Sequence, residues 1–328
     1  QVSDLSPLAN LSSLQHLNCD STQVSDLSPL LPLIKKGIPV NWKNPNYSKE
    51  IYVNDCPLVH PPVEIVKQGN EAILRYFEAE EKQGQNPLHE AKIVVVGAGS
   101  AGKTTLIKKL QNPAHPVPNK DDKRTEGVIV TPLNLIKQRE GKQVKAYLWD
   151  LGGQELYHAT HQFFLTPDTF YILLNDNRKN DTDFYYWLNI LALRAGDACP
   201  IFCLFNQKEN ATRQISLDED LFGNFPGLLQ CPEEVDFADK DFGRFDRLRA
   251  TIETHFLTLP VLGKKLPSYW VKVRDALAAL QSPYIPWKTF QNICTQQGIP
   301  EDDEQQMEIV AQTLHNLGNC LLYTSDAA

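Results

Sequence analysis

The chain has 328 residues, 42% of them hydrophobic and 22% charged, with a formal net charge of -8. That length allows two or three domains with a real core. The acidic balance and scattered Lys and Arg argue against nucleic acid as the main partner, and no apolar run reaches the roughly 20 residues that span a bilayer, so no membrane span is expected.

Residues 2–8 read Val-Ser-Asp-Leu-Ser-Pro-Leu, and residues 24–30 repeat them at an offset of 22. Between the copies, Leu11, Leu14, Leu17 and Cys19 follow the spacing of a leucine-rich repeat, whose period is about 20–29 residues. Gln1 stands inside this pattern, and Tyr323–Ala328 departs from the one before it, so the expectation is a fragment whose repeats continue before Gln1. The Pro-rich stretch at Pro57, Pro61 and Pro62 closes the array. Ile65, Ile73, Leu74, Tyr76 and Phe77 then predict a helix over 64–81, followed by a polar linker over 82–90.

From Ala91 onward, apolar segments at 92–96, 127–136, 144–150, 169–175, 200–206 and 234–238 read as strands. They alternate with amphipathic segments near 103–111, 181–194 and 243–257, which predicts an α/β fold with a mixed six-stranded sheet flanked by helices. Residues 267–320 carry helical patterns broken by Pro283, Pro286, Gly298 and Pro300, without clear strands. The expected division is a repeat array over 1–60, a connector over 61–90, the α/β domain over 91–259 and a helical domain over 260–328. Seven cysteines (Cys19, Cys56, Cys199, Cys203, Cys231, Cys294 and Cys320) are odd in number, widely spaced and mostly set in apolar runs. They read as reduced core thiols, which favours a cytoplasmic location.

Chemistry concentrates after the first of these strands. Gly97-Ala98-Gly99-Ser100-Ala101-Gly102-Lys103-Thr104 matches G-x-x-x-x-G-K-[ST] and follows a strand directly, with Thr105 continuing into a helix. Such a loop wraps backbone N–H groups around phosphates, Lys103 reaches the β- and γ-oxygens, and the Thr104 hydroxyl ligates Mg2+. Asp150 ends a strand before Gly152-Gly153-Gln154. It is a candidate Mg2+ ligand, Gly153 a γ-phosphate donor, and Gln154 the side chain that orients an attacking water. Thr125, 22 residues past Lys103, is the candidate switch threonine for Mg2+ and γ-phosphate.

Base recognition rests on Asn206, Gln207 and Glu209 at the end of another strand, where N-K-x-D is expected. Glu209 keeps the carboxylate that takes two hydrogen bonds from the guanine edge, a pair that adenine cannot offer. Gln207 replaces the lysine, and reading the motif one residue later, with Lys208 as its lysine, loses the carboxylate. Arg178 and Arg194 are candidates for an arginine finger or an interface contact. His158 with His161 lack a third metal ligand nearby, and Cys199 with Cys203 suit core packing.

With repeats, a P-loop, a Gly-Gly-Gln switch and a helical tail in this order, the chain resembles the Roco proteins, in which leucine-rich repeats precede a Roc GTPase domain and a COR domain. Gly69–Ile73 with Tyr76-Phe77 is similar to the connector after Roco repeats, Tyr157–His161 with Phe164 to the Roc switch II, and Trp187-Leu188 with Arg194 to the helix before the base-recognition strand. Leu314-His315-Asn316-Leu317-Gly318 resembles the winged-helix-like first part of COR. The changed N-K-x-D, the lack of a clear S-A-K near Ala238 and a truncated COR depart from the family pattern. The resemblance implies a small-GTPase-like fold, GTP and GDP with Mg2+ as cofactors, slow GTP hydrolysis, homodimerisation through COR and a protein ligand for the repeats. A nucleotide-binding signalling scaffold with little or no hydrolysis is the alternative.

Overall fold

Glu90–Val96 is buried at every position in the computed structural model, as a strand must be when it pairs on both edges and helices cover both faces. The structure describes residues 2–43, 49–117, 125, 127–152, 164–178, 182–208, 217–230, 234–280 and 285–317. Gly153, Gln154, Tyr157–His161, Glu209, Gly318, Cys231 and Cys320 lie outside the described residues. The chain divides into two compact units, one holding Gln1–Leu88 with Gly263–His315 and the other holding His89–Leu262.

In the second unit the elements are β1 (Glu90–Val96), α1 (Lys103–Gln111), β2 (Val128–Arg139), β3 (Lys142–Leu151), β4 (Phe170–Asp176), α2 (Thr182–Ala195), β5 (Ile201–Asn206), α3 (Glu219–Asn224), β6 (Leu228–Gln230) and α4 (Phe242–Phe256). The sheet order is β6-β5-β4-β1-β3-β2. All neighbours are parallel except β2 and β3, an antiparallel hairpin that turns at Glu140-Gly141. Parallel pairing needs crossovers, which the helices supply. It also gathers the carboxyl ends of β1, β3, β4 and β5 on one edge, the edge where open α/β sheets bind ligands.

The sixth strand departs from expectation. It is Leu228–Gln230, paired with β5, whereas Val235 within the expected 234–238 makes only an isolated bridge to Asn206. Val235 and Phe237 are both buried and so mimic strand alternation. They cover Asn206 and the phosphate loop instead: a Cβ on Gly102 would sit 3.0 Å from the Phe237 ring.

In the first unit the two copies of the heptapeptide fold alike. Ser6–Leu8 and Ser28–Leu30 are the same 3-10 turn, each preceded by a leucine at φ -99° and ψ 0°. Asp4 and Asp26 each accept the N–H of the serine two residues on, at 2.8 and 2.7 Å, the local bond that makes aspartate a turn former. Leu17–Asn18, Val40–Asn41 and Ile51–Tyr52 are short parallel strands with Ile51–Tyr52 in the middle. Leu5, Val24, Leu27 and Leu30 form the core here, and of Leu11, Leu14, Leu17 and Cys19 only the cysteine is fully buried.

The helix expected over 64–81 is two helices, Val63–Val66 and Asn70–Gln83, because Gly69 at φ 91° breaks the path. The expected linker over 82–90 contains a strand, Gln85–Pro87, antiparallel to Lys265–Pro267. Helices Ser268–Ala279, Trp287–Gln296 and Glu304–Asn316 follow. Cys19, Cys56, Cys199, Cys203 and Cys294 are free and buried. Among the described residues no helix is long and apolar enough to cross a membrane.

Candidate functional site

The loop Gly97–Gly102 leaves the carboxyl end of β1 and enters α1 at Lys103. Its shape depends on Gly97, which has φ +135° and would place a Cβ 2.1 Å from the Leu174 carbonyl oxygen of β4. Ser100 also adopts positive φ, at 64°. Ala98 and Ala101 are buried, which fixes the loop against the sheet. No side chain caps α1, and its first turn carries no acid, so its N–H groups and the positive end of its dipole face the loop. The Lys103 ammonium is buried inside the turn and donates to the Gly97 and Ala98 carbonyls at 2.8 and 3.0 Å. Thr105 is buried one residue further along α1.

Beside this loop the structure brings together three residues from three segments. Thr104 Oγ1 donates to Asp150 Oδ2 at 2.6 Å, Thr125 Oγ1 donates to the same oxygen at 3.2 Å, and the two hydroxyls lie 2.7 Å apart. Burial pushes the Asp150 carboxyl up, and hydrogen bonds from Thr104 and Thr125 with the charge of Lys103 oppose that without cancelling it. Its other oxygen, Oδ1, is buried without a protein partner. Two hydroxyls and a buried carboxylate with a spare oxygen are hard donors that fit Mg2+, which keeps several of its waters and takes few protein ligands. Sequence reasoning missed Gly152, where a Cβ would come within 2.7 Å of the Thr125 carbonyl oxygen. Its N–H donates to Gly127 O at 2.9 Å, so the glycine lets the Thr125 segment pass close to β3.

At the end of β5, Asn206 is fully buried and its Nδ2 donates to Ala101 O of the loop at 2.9 Å. The Gln207 N–H donates to Val235 O. Lys208, which the motif alignment set aside, reaches the loop: its Nζ donates to Ser100 O at 2.6 Å and pairs with Asp176 Oδ2 at 3.1 Å. Asp176 ends β4 and is fully buried. Burial alone would raise its carboxyl, but hydrogen bonds from Arg178 and Lys208 outweigh that and hold it down at about 2. Arg178 is thus engaged with Asp176 at 2.9 Å, and Arg194 lies in the last turn of α2.

Known domain families and a solved structure resemble this chain over the same segments. The family model described as "Ras of Complex, Roc, domain of DAPkinase" matches residues 92–209, and "C-terminal of Roc, COR-A domain" matches 267–328. The chain is 26% identical over 306 residues to the probable serine/threonine-protein kinase pats1 of Dictyostelium discoideum, covering 84% of this chain and 9% of that protein. It is 27% identical over 239 residues to a Roc-COR-CHAT protease of Runella zeae, covering 66% of this chain and 25% of the relative. The chain therefore spans a quarter or less of these relatives. The structure of Methanosarcina barkeri Roco2 RocCORdC bound to GDP matches with a TM-score of 0.60 at 26% identity, over 72% of this chain and 69% of that one. Roc is a Ras-like GTPase domain family, and with COR-A following Roc in one chain, the chain belongs to the Roco family.

Proposed function

We propose that this chain binds a guanine nucleotide with Mg2+ and hydrolyses GTP as a regulatory switch. The observation that carries the reading is the meeting of Thr104, Thr125 and Asp150 beside Lys103 at the mouth of an uncapped helix. Lys103 and the N–H groups of Gly97–Thr105 would hold the phosphates. Thr104 and Thr125 would hold the metal, with Asp150 acting through water. When bound, Mg2+ neutralises charge developing on the β- and γ-oxygens. Gly153 would donate its N–H to the γ-phosphate and Gln154 would orient the water. This work is positioning and charge stabilisation, with no covalent intermediate on the protein.

Glu209 and Asn206 would select the base, and GDP in the Roco2 neighbour supports the guanine reading. Binding GTP and ATP in competition tests it. A guanine preference below about tenfold, or about 1.4 kcal/mol, would contradict the assignment. We further propose that the repeated turns over 1–60 are the end of a leucine-rich-repeat array that binds a protein ligand, so that partner recognition is coupled to nucleotide state. Homodimerisation through the COR region and a cytoplasmic location complete the proposal.

A further inference from the structure

The carboxyl end of β2 and the second half of α4 are joined by a belt of polar contacts that the proposed hydrolysis does not use. A bulge between Asn134 and Gln138 breaks the β2–β3 ladder, and a bulge leaves backbone groups unpaired. Glu253 of α4, 2% exposed, takes up those groups. Its carboxylate accepts the N–H of Ile136 at 3.0 Å and of Lys137 at 2.9 Å, and pairs with Arg249 Nε at 2.9 Å. Arg249 also donates from both of its terminal nitrogens. It reaches Leu110 O near the end of α1 at 3.0 Å and Asn134 O of β2 at 2.8 Å. Arg139, at the end of β2, donates to Leu257 O and Leu259 O just past α4 at 3.0 and 3.1 Å.

Beneath the belt lies a cavity of about 10 Å3, lined by Leu110, Leu133, Leu135, Ile252 and Phe256 among others. It has room for about one water, and the apolar residues around it are buried. A buried carboxylate bonded to main-chain N–H groups has a fixed geometry and a high cost of rupture. The polar belt adds a fixed register to the apolar contact that Phe245, Leu248, Ile252 and Phe256 make by burial.

We propose that Glu253 and Arg249 form a latch that makes α4 move as one body with the β2–β3 hairpin, so that nucleotide exchange is transmitted to α4 and to Leu257–Leu262. The hairpin is the right carrier, because β2 starts three residues after Thr125 and β3 contains Asp150. Arg249 adds a second line, through α1, to the helix that begins at Lys103. The inference rests on the guanine-nucleotide reading above.

Hydrogen exchange on the whole chain, compared between GDP and a non-hydrolysable GTP analogue, tests it. Exchanging nucleotide should change protection in α4 and Leu257–Leu262 by about fivefold or more, the lower range of allosteric couplings. Glu253→Gln keeps the shape and removes the charge, and should abolish that difference while GDP affinity stays within about threefold. Arg139→Gln, which releases only the end of the belt, should reduce it and keeps the test open if Glu253→Gln does not fold. An undiminished difference in the variants, or none in the wild type with both nucleotides bound, would overturn the latch alone. Failure to bind either nucleotide would overturn the functional reading and the latch together.

Discussion

His60 is held between two carboxylates, and its removal should cost stability in a way that depends on pH. Nδ1 lies 2.9 Å from Asp26 Oδ1 and Nε2 lies 2.7 Å from Glu80 Oε2, with the Tyr76 and Phe77 rings at 5.8 and 4.9 Å. Burial alone would lower the imidazole, but the two carboxylates outweigh it and raise it from 6.5 to about 9. At about 1.4 kcal/mol per unit this is an upper bound of about 3 kcal/mol. Asp26 is 50% exposed, and solvent screening of that half of the bridge reduces the expected value to about 2 kcal/mol. The folded value is the higher one, so the contribution is complete below pH 6.5 and is lost as pH rises through about 9. Chemical denaturation of the wild type and of His60→Gln across that window measures it. The difference should be about 2 kcal/mol at the acid end and shrink to below about 0.5 kcal/mol once the imidazole is neutral. A difference that stays constant with pH would rule out the two carboxylates on His60 as its source.

Three further outcomes follow from the loop geometry. Lys208→Ala should weaken nucleotide binding by about tenfold, about 1.4 kcal/mol, because it releases Ser100 O and leaves the buried Asp176 with fewer partners. Gln207→Ala should change binding by about twofold or less; titration calorimetry of both variants checks the contrast. Gly97→Ala should abolish nucleotide binding and lower Tm, since its Cβ would overlap the Leu174 carbonyl at 2.1 Å. A folded Gly97→Ala protein with unchanged affinity would contradict the assigned loop geometry.

Much of the fold was legible because its periodicities are local. The helix read at 103–111 is Lys103–Gln111, and that at 181–194 is Thr182–Ala195. Five of the six strands stand where alternating or continuous apolar runs placed them. What escaped depends on partners distant in sequence. Gln85–Pro87 is polar and reads as linker, and becomes a strand only through pairing with Lys265–Pro267. Residues 234–238 have strand alternation, yet their burial comes from covering Asn206 and Gly102. In the site, the P-loop spacing and Asp150 ending a strand pointed to the same corner, and Thr125 joined them by its place between the two. Lys208 was not legible, because a motif register does not tell which of two adjacent side chains turns toward the loop. The Gln207 N–H pairing with Val235 and the buried Asp176 decide that in the fold.

Phosphate release from GTP by the purified chain, with Mg2+ and with the metal chelated, decides whether the loop hydrolyses GTP when set beside Lys103→Ala. Lys103 is buried at the heart of the loop, and its loss should remove at least about 3 kcal/mol of transition-state stabilisation, on the order of a hundredfold in rate. The wild type should release phosphate in an Mg2+-dependent way, and the variant none above background. Equal release from both proteins, or none from a wild type that binds GTP, would contradict hydrolysis at this site.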